Sequence, residues 1–159
     1  MPVFDQAVIL WTGLFSPELN LLWVLVAVGL ARRAPGGFRV GALVGVAAAS
    51  LSCTVLKRVF GRERPPEELA LIIETNASFP SGHATAAGAL VGIALVTRRP
   101  WLIALAVVHA VVIGWTRLYV GVHWLSDVVA GWILGAVVAY VVCRLVMRLW
   151  GRISYREGR

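Results

Sequence analysis

The apolar residues of this chain form long runs, separated by short stretches that are polar or contain glycine and proline. Runs of this length with few charges inside them are typical of helices that cross a membrane. Paired charges or helix breakers end most of the runs, as Arg98-Arg99-Pro100 does. The pattern predicts five spans, at about residues 17–33, 38–57, 82–96, 101–116 and 123–150.

The first apolar stretch, residues 3–15, is shorter than these spans. As a helix it would be about 20 Å long, whereas the hydrocarbon core of a bilayer is about 30 Å thick. Ser16-Pro17-Glu18 then starts a new helix with an N-cap, a proline and an acidic first turn. We therefore expect an all-α, polytopic transmembrane helix bundle that forms one domain over residues 1–159. It would have five spans plus a short interfacial or half-spanning N-terminal helix, or six spans if that helix crosses.

The second span carries small residues at every fourth position: Gly41, Gly45, Ala49 and Cys53. Such a face allows two helix backbones to approach each other closely in a membrane. Cys53 and Cys143 each lie inside an apolar run, and the span pattern places them near opposite membrane faces. We expect two buried free thiols and no disulfide between them.

The 159 residues are 59% hydrophobic and 14% charged, and their mean hydropathy is +0.81. This balance excludes an ordinary soluble globular protein and predicts an integral membrane protein. The net charge of +7 could attract nucleic acid. However, the basic residues lie at the ends of apolar runs and form no stripe interleaved with aromatics. We expect membrane lipids around the chain and no nucleic-acid partner.

The basic residues are distributed unequally between the two ends of the predicted spans. Ten of the fifteen share one side: Arg32, Arg33, Arg39, Arg98, Arg99, Arg144, Arg148, Arg152, Arg156 and Arg159. The positive-inside rule makes that side cytoplasmic and places the C-terminus there. The other five lie on the outer face: Lys57, Arg58, Arg62, Arg64 and Arg117. Since topology does not explain cations on the outer face, they need a chemical reason to be there.

Three segments that combine cationic residues, histidines and small residues fall on this outer face. They are Lys57-x6-Arg64-Pro65, Pro80-Ser81-Gly82-His83 and Arg117-x5-His123-x3-Asp127. Each segment lies at a helix end or in the adjoining loop. Helix packing can therefore bring all three to one site at the membrane interface.

These segments contain the parts of an anion-binding site. Lys57, Arg64 and Arg117 supply positive charge, and a guanidinium group can fork onto two phosphoryl oxygens. Ser81 can cap the helix that follows it, and the free amide of Gly82 lies at the positive end of that helix. Phosphate is the anion that this combination favours.

His123 and Asp127 are four residues apart, so on the first turn of a helix they would share one face. Asp127 can then hold the Nδ1 proton and leave Nε2 of His123 free to attack phosphorus, which forms a phosphohistidine. His83, kept protonated by the nearby phosphate, can give a proton to the leaving oxygen and later activate water. The two histidines therefore take separate roles, as nucleophile and as acid.

Other polar residues are assigned no chemistry. Arg58 and Arg62 are expected to snorkel or to meet lipid headgroups. The loop carboxylates are expected to be solvated: Glu67, Glu68 and Glu74. His109 lies in the middle of the fourth span, where a hydrogen bond to another helix is the favoured interpretation.

The three segments resemble the signature of the type 2 phosphatidic acid phosphatase superfamily. That signature reads Lys-x6-Arg-Pro, Pro-Ser-Gly-His and Ser-Arg-x5-His-x3-Asp, and the match runs from Lys57 to Asp127. Thr116 stands where the family usually has serine, and it keeps a hydroxyl group. Membrane enzymes of the family commonly have six spans, against five plus the short segment 3–15 predicted here.

The resemblance implies hydrolysis of a phosphate ester or anhydride without a metal ion or other cofactor, through a phosphohistidine. It implies His123 as the nucleophile, Asp127 as its orienting partner and His83 as the acid. The residues that it implies for holding phosphate are Lys57, Arg64, Ser81, Gly82 and Arg117. Soluble haloperoxidases of the same superfamily hold vanadate in this pocket, and the hydropathy argues against that branch.

We therefore interpret the chain as a lipid phosphatase of a bacterial-type cell membrane, with its active site facing outside. The expected substrate is a polyprenyl phosphate or diphosphate, phosphatidylglycerol phosphate or phosphatidate. A non-catalytic lipid-phosphate binder or flippase is the alternative, although binding alone does not require an oriented imidazole. A structural membrane subunit would leave the outer basic cluster without a purpose.

Overall fold

The computed structural model describes residues 2–30 and 33–157. Arg32 and Arg159, two of the basic residues used above to predict the orientation, lie outside these ranges. The described helices are α1 (Val3–Leu14), α2 (Pro17–Leu30), α3 (Gly36–Phe60), α4 (Gly82–Thr97), α5 (Pro100–Tyr119) and α6 (Leu125–Glu157). A single 3₁₀ turn, Glu67–Leu69, interrupts the loop between α3 and α4. No strand occurs within those ranges, and the all-α prediction is confirmed.

Within the described ranges, three helices are long and apolar enough to cross a membrane: Gly36–Phe60, Pro100–Tyr119 and the Leu125–Ile153 part of α6. Two shorter apolar helices, Val3–Leu14 and Gly82–Thr97, accompany them. The 12 residues of α1 make a helix about 18 Å long, in agreement with the short N-terminal helix predicted from residues 3–15. The total of five or six crossings stays a prediction.

Helix α6 lies against both α3 and α4, and glycines allow these contacts to be close. A Cβ atom on Gly41 would lie 2.9 Å from the carbonyl oxygen of Cys143, and one on Gly45 would lie 2.9 Å from that of Ala139. Real Cβ atoms are essentially never found so close to a backbone oxygen, so α3 can lie here only because these residues are glycine. The small-residue face predicted for the second span is confirmed. Cys53 and Cys143 are buried and free.

The turn between α5 and α6 differs from the predicted one. Helix α5 continues to Tyr119, so Arg117 lies in its last turn, and α6 begins only at Leu125. The expectation that His123 lies on the first turn of a helix is therefore wrong. Asp127 and Trp124 bond reciprocally, through Trp124 N–H to Asp127 Oδ2 at 2.9 Å and Asp127 N–H to Trp124 O at 3.0 Å. This pair works like a capping box, starts the helix after Trp124 and leaves His123 in the turn.

The long loop between α3 and α4 crosses one end of the bundle and is hydrogen-bonded to the turn that follows α5 and to the first turn of α6. Leu71 N–H donates to Val120 O at 3.0 Å, and Ser81 N–H donates to Asp127 O at 3.0 Å. Within the loop, Ser78 N–H donates to Arg62 O at 2.8 Å. These backbone contacts bring the three signature segments to the same end of the molecule.

His109 lies half-buried on α5, with its ring centroid 4.7 Å from that of Phe15 in an edge-on arrangement. Among the described residues, no hydrogen bond from its side chain to another helix is present. The hydrogen bond predicted for His109 is thus replaced by an aromatic contact. Phe15 belongs to the corner between α1 and α2, so this contact helps to place α1 against α5.

Candidate active site

A cavity of about 970 Å³ lies at the end of the bundle where α3 ends and α4 begins. Its walls come from the corner between α1 and α2, the end of α3, the following loop, the start of α4 and the end of α5. We refer to it as the end cavity. Six of the eight predicted site residues line it: Lys57, Arg64, Gly82, His83, Arg117 and His123. The structure therefore brings the three signature segments to one cavity.

Two of the three cations are held by the loop that crosses the end cavity. Lys57 Nζ donates to Asn76 Oδ1 at 3.2 Å and to the carbonyl of Ala77. Arg64 donates from Nε to Asn76 O at 2.8 Å, and its two terminal nitrogens donate to Asn76 Oδ1 and to Val122 O, each at 2.7 Å. These bonds fix the positions of two long side chains that would otherwise be mobile. The positive charge at the cavity wall is thus preorganised.

Arg117 is the most buried of the three cations, with 1% of its side chain exposed. One terminal nitrogen donates to Thr12 Oγ1 of α1 at 3.1 Å, and the other donates to Glu74 Oε1 at 2.7 Å. A buried guanidinium without partners would be strongly unfavourable, so both contacts stabilise its position. The short N-terminal helix therefore contributes directly to the site.

The side chain of His123 is 2% exposed, and its imidazole has two different sides. Its Nε2 atom lies 3.4 Å from a terminal nitrogen of Arg64, and the residue lines the end cavity. Its Nδ1 atom lies 3.3 Å from Ser78 Oγ and 3.5 Å from Asp127 Oδ2. Burial, and then the positive charges of Arg64 and Arg117, lower the pKa of His123 to about 2. The ring is therefore neutral at ordinary pH and can act as a nucleophile.

Asp127 is fully buried beneath His123 and is the centre of a small polar network. Ser78 Oγ donates to its Oδ2 atom, and a terminal nitrogen of Arg62 donates to its Oδ1 atom at 2.7 Å. Because 3.5 Å is long for a direct hydrogen bond, the Ser78 hydroxyl is the better-placed link between the imidazole and the carboxylate. The interpretation of Arg62 as a residue that meets lipid headgroups is wrong, since its guanidinium pairs with Asp127.

The start of α4 forms the floor of the site. Ser81 is fully buried, and its Oγ accepts from the N–H of Ala84 at 3.5 Å, so it caps the helix. Ser81 is not part of the cavity wall, whereas Gly82 and His83 are. The first amides of a helix have no partner within the helix, and they lie at its positive end. Thr116, the departure from the usual serine, donates its hydroxyl to Ile113 O at 2.7 Å within α5.

A sequence model described as the PAP2 superfamily matches residues 39–150. The chain belongs to this superfamily. It is 40% identical over 67 residues to an undecaprenyl-diphosphatase of Sulfolobus acidocaldarius, a match that covers 42% of this chain and 32% of that protein. It is 35% identical over 125 residues to a decaprenylphosphoryl-5-phosphoribose phosphatase of Mycobacterium tuberculosis, covering 77% of this chain and 68% of that one. The chain thus spans about a third of the length of the Sulfolobus relative.

The fold is also similar to that of a solved PAP2 structure. The transmembrane PAP2 type phosphatidylglycerolphosphate phosphatase from Bacillus subtilis superposes with a TM-score of 0.76 at 26% identity. The match covers 89% of this chain and 76% of the Bacillus chain. The PAP2 chain described here is therefore an integral membrane protein, in agreement with the three long apolar helices.

Several polar residues of this PAP2 site are absent from the sequence prediction: Thr12, Arg62, Glu74, Asn76 and Ser78. The interpretation of Glu74 as a solvated loop charge is wrong, because its carboxylate pairs with buried Arg117 and lines the end cavity. One signal could have found Glu74, Asn76 and Ser78. All three precede Pro80 by six residues or fewer in an unusually long loop, and long loops in compact proteins are commonly functional. Arg62 lies in the same loop and is one of the outer-face cations that topology does not explain, whereas Thr12 carries no comparable local signal.

Proposed function

We propose that this PAP2 chain is a membrane phosphatase that hydrolyses a phosphate monoester or diphosphate of a lipid through a phosphohistidine on His123. The observation that carries the proposal is the two-sided environment of this imidazole. Its Nδ1 side is held by Ser78 and Asp127, while its Nε2 side belongs to a cavity whose lining includes Lys57, Arg64 and Arg117. An oriented, neutral imidazole beside a cationic anion site is what nucleophilic attack on phosphorus requires.

In the first step, Nε2 of His123 attacks phosphorus, and the bond between phosphorus and the lipid oxygen breaks. The Nδ1–H of the ring is held by the Ser78 hydroxyl, which in turn donates to Asp127, so the charge that develops on the imidazole is stabilised. His83, protonated when the phosphate dianion is bound, gives its proton to the leaving lipid oxygen. Lys57, Arg64 and Arg117 stabilise the phosphoryl oxygens, whose charge is spread in the transition state.

In the second step, water attacks the phosphohistidine and the bond between phosphorus and nitrogen breaks. His83, now neutral, takes a proton from this water, and inorganic phosphate leaves. The three cations supply the positive charge that the phosphoryl group needs in both steps. The reaction therefore proceeds without a divalent metal ion, and full turnover in the presence of EDTA is the expected result.

The lipid is a polyprenyl phosphate or diphosphate, phosphatidylglycerol phosphate or phosphatidate. The relatives described above are named as phosphatases of polyprenyl and glycerophospholipid substrates, which supports this class for the present chain. The end cavity faces the outside of a bacterial-type cell membrane, and the C-terminus is cytoplasmic. The uneven distribution of basic residues supports this orientation.

The deciding experiment compares wild type with His123→Ala on a panel of these lipids, in detergent micelles or vesicles. Phosphate release is expected to fall by on the order of 10⁴-fold or more, because the nucleophile is removed. Lipid binding is expected to persist, because the cations remain. His109→Ala is the matched control, since this third histidine contacts Phe15 and lies outside the end cavity.

Two outcomes would contradict the proposal. Purified wild type that releases no phosphate from any lipid in the panel would not be this enzyme. A His123→Ala variant that continues to move lipid-linked phosphate across vesicles would instead identify the alternative, a flippase that uses the same anion site.

A further inference from the structure

Glu74 occupies an unusual position for a carboxylate, inside a site that is built for an anion. Its Oε1 atom accepts from Arg117 at 2.7 Å, and its Oε2 atom lies 3.8 Å from a terminal nitrogen of Arg64. These two guanidinium groups are the ones proposed to hold phosphoryl oxygens. A carboxylate and a phosphate present similar oxygen pairs to arginine, so Glu74 takes one of the places that a phosphoryl oxygen would need.

Because Arg117 is buried, a phosphoryl group and Glu74 compete for the same terminal nitrogen of this guanidinium. With 1% of its side chain exposed, Arg117 is covered by Thr12 on one side and by Glu74 on the other. Its Nε atom is buried and has no hydrogen-bond partner among residues 2–30 and 33–157. A phosphoryl group can reach the nitrogen that Glu74 holds only if the carboxylate moves away.

The loop that carries Glu74 also supplies oxygens to the other two cations. Asn76 Oδ1 accepts from both Lys57 and Arg64, and Ala77 O accepts from Lys57. Three cations around one partly buried cavity repel each other, and a nearby negative charge offsets that repulsion. Asn76 and Ala77 are neutral acceptors, so Glu74 is the member of this segment that competes with phosphate by charge.

We propose that Glu74 is an internal competitor for the phosphoryl site, which neutralises Arg117 and Arg64 in the resting protein and is displaced when a phosphoryl group binds. The inference rests on the proposed function, because it concerns the same anion site. Its consequence is weaker binding of substrate and of product phosphate than the three cations alone would give. Weaker binding of the product favours its release at the end of each turnover.

The test measures binding of inorganic phosphate to the purified, detergent-solubilised protein by titration calorimetry, without any turnover. Glu74→Gln keeps the shape of the side chain and removes its charge, and we expect phosphate to bind roughly tenfold more tightly or more. Glu68→Gln is the matched control, because it makes the same charge change at an exposed position of the same loop. Its phosphate affinity should equal that of wild type.

A second titration at high salt distinguishes direct competition by Glu74 from a general change in the electrostatic potential of the cavity. At about 1 M salt the Debye length is about 3 Å, so the effect of a distant charge is screened, whereas displacement of a contacting carboxylate persists. The gain of Glu74→Gln should therefore survive at high salt. A gain that disappears there, an unchanged or weakened affinity, or an absence of phosphate binding in both proteins would overturn the proposal. If Glu74→Gln does not purify as folded protein, Glu74→Ala is read by the same criteria.

This binding test is independent of the proposed catalysis. If phosphate binds more tightly to Glu74→Gln while no lipid is hydrolysed by wild type, the competitor role stands and the proposed function fails. If wild type hydrolyses lipid while Glu74→Gln binds phosphate no more tightly than wild type, the proposed function stands and the competitor role fails. In a hydrolysing protein, Glu74→Gln should also lower KM and the inhibition constant of phosphate by a similar factor.

Discussion

Two regions of the molecule, the contact between α4 and α6 and the end cavity, are built from different interactions. The first is a glycine seam, defined by Gly88, Gly92, Gly131 and Gly135. A Cβ atom on Gly131 would lie 2.8 Å from Ser81 O, and one on Gly135 would overlap the carbonyl of Thr85. In the seam, backbone therefore touches backbone with no room for a side chain.

The end cavity has the opposite construction. Its positions are set by long side chains that hydrogen-bond to a loop, such as Arg64 with Asn76 and Arg117 with Glu74. Space remains there for a ligand. The two regions therefore have different roles. The glycine seam determines the relative positions of the first turns of α4 and α6, and the loop determines the orientation of the cationic side chains. Substitutions in the seam should change stability, and substitutions at the cavity should change chemistry.

The largest effect expected at the cavity, apart from loss of His123, is that of His83→Asn. Removal of the proposed general acid should lower kcat by about 10²- to 10⁴-fold for a lipid alkoxide leaving group. An aryl phosphate such as p-nitrophenyl phosphate needs no proton on its leaving group, so the loss should be much smaller for it. The measurement compares the loss of kcat caused by His83→Asn for the lipid substrate with the loss for p-nitrophenyl phosphate. Equal losses for both would remove His83 from the acid role.

Ser78→Ala should lower kcat by roughly 10- to 100-fold, because the link between His123 and Asp127 is a hydrogen bond to a charged group. KM should change little, since Ser78 does not line the end cavity. Ser126→Ala is the control, as Ser126 accepts from Arg62 at 2.7 Å, whereas the described side-chain hydrogen bonds of His123 involve Arg64 and Ser78. Partial recovery by Ser78→Thr would identify the hydroxyl as the active group, whereas a loss confined to KM would contradict this role.

In the glycine seam, Gly135→Ala should destabilise the fold by about 2 kcal/mol or more, because the added methyl group meets the backbone of Thr85. Thermal unfolding in detergent gives the measurement. Gly151→Ala in the same helix, where nothing lies within 4 Å of the added atom, should be neutral or slightly stabilising. A Gly135→Ala protein as stable as wild type would show that the two helices can separate, and the division between regions would not hold.

The smallest effect concerns the protonation of His123, whose pKa lies at about 2. This is below the ordinary value, so the folded protein favours the neutral ring, and stability falls as the pH drops through about 6.5, where the unfolded chain takes up a proton. The labelled imidazole signal of His123 in an NMR titration should stay constant between about pH 5 and 8. Arg64→Gln should move the pKa upward, since a positive neighbour is removed. A wild-type signal that titrates within that window would contradict the assignment.

The sequence predicted the helices and the signature segments well, because both are local in origin. Apolar run lengths set the spans, and four-residue spacing placed Gly41 and Gly45 on a face that does pack closely. The turn before α6 was predicted less well. The reciprocal bonds between Trp124 and Asp127 that exclude His123 from the helix depend on side-chain geometry, which spacing alone does not reveal.

By itself, the sequence determined that this is an α-helical membrane protein with the PAP2 signature, and that the cations and histidines of that signature belong at one end. Only the tertiary structure decided how they are connected. Ser78 between His123 and Asp127, Arg62 on Asp127, and Glu74 on Arg117 are contacts between residues 43 to 65 positions apart. Such contacts arise from the course of a long loop over the end of the bundle. The loop is stabilised in this position by hydrogen bonds and ion pairs with residues that are distant in the sequence, and local sequence patterns do not reveal these contacts.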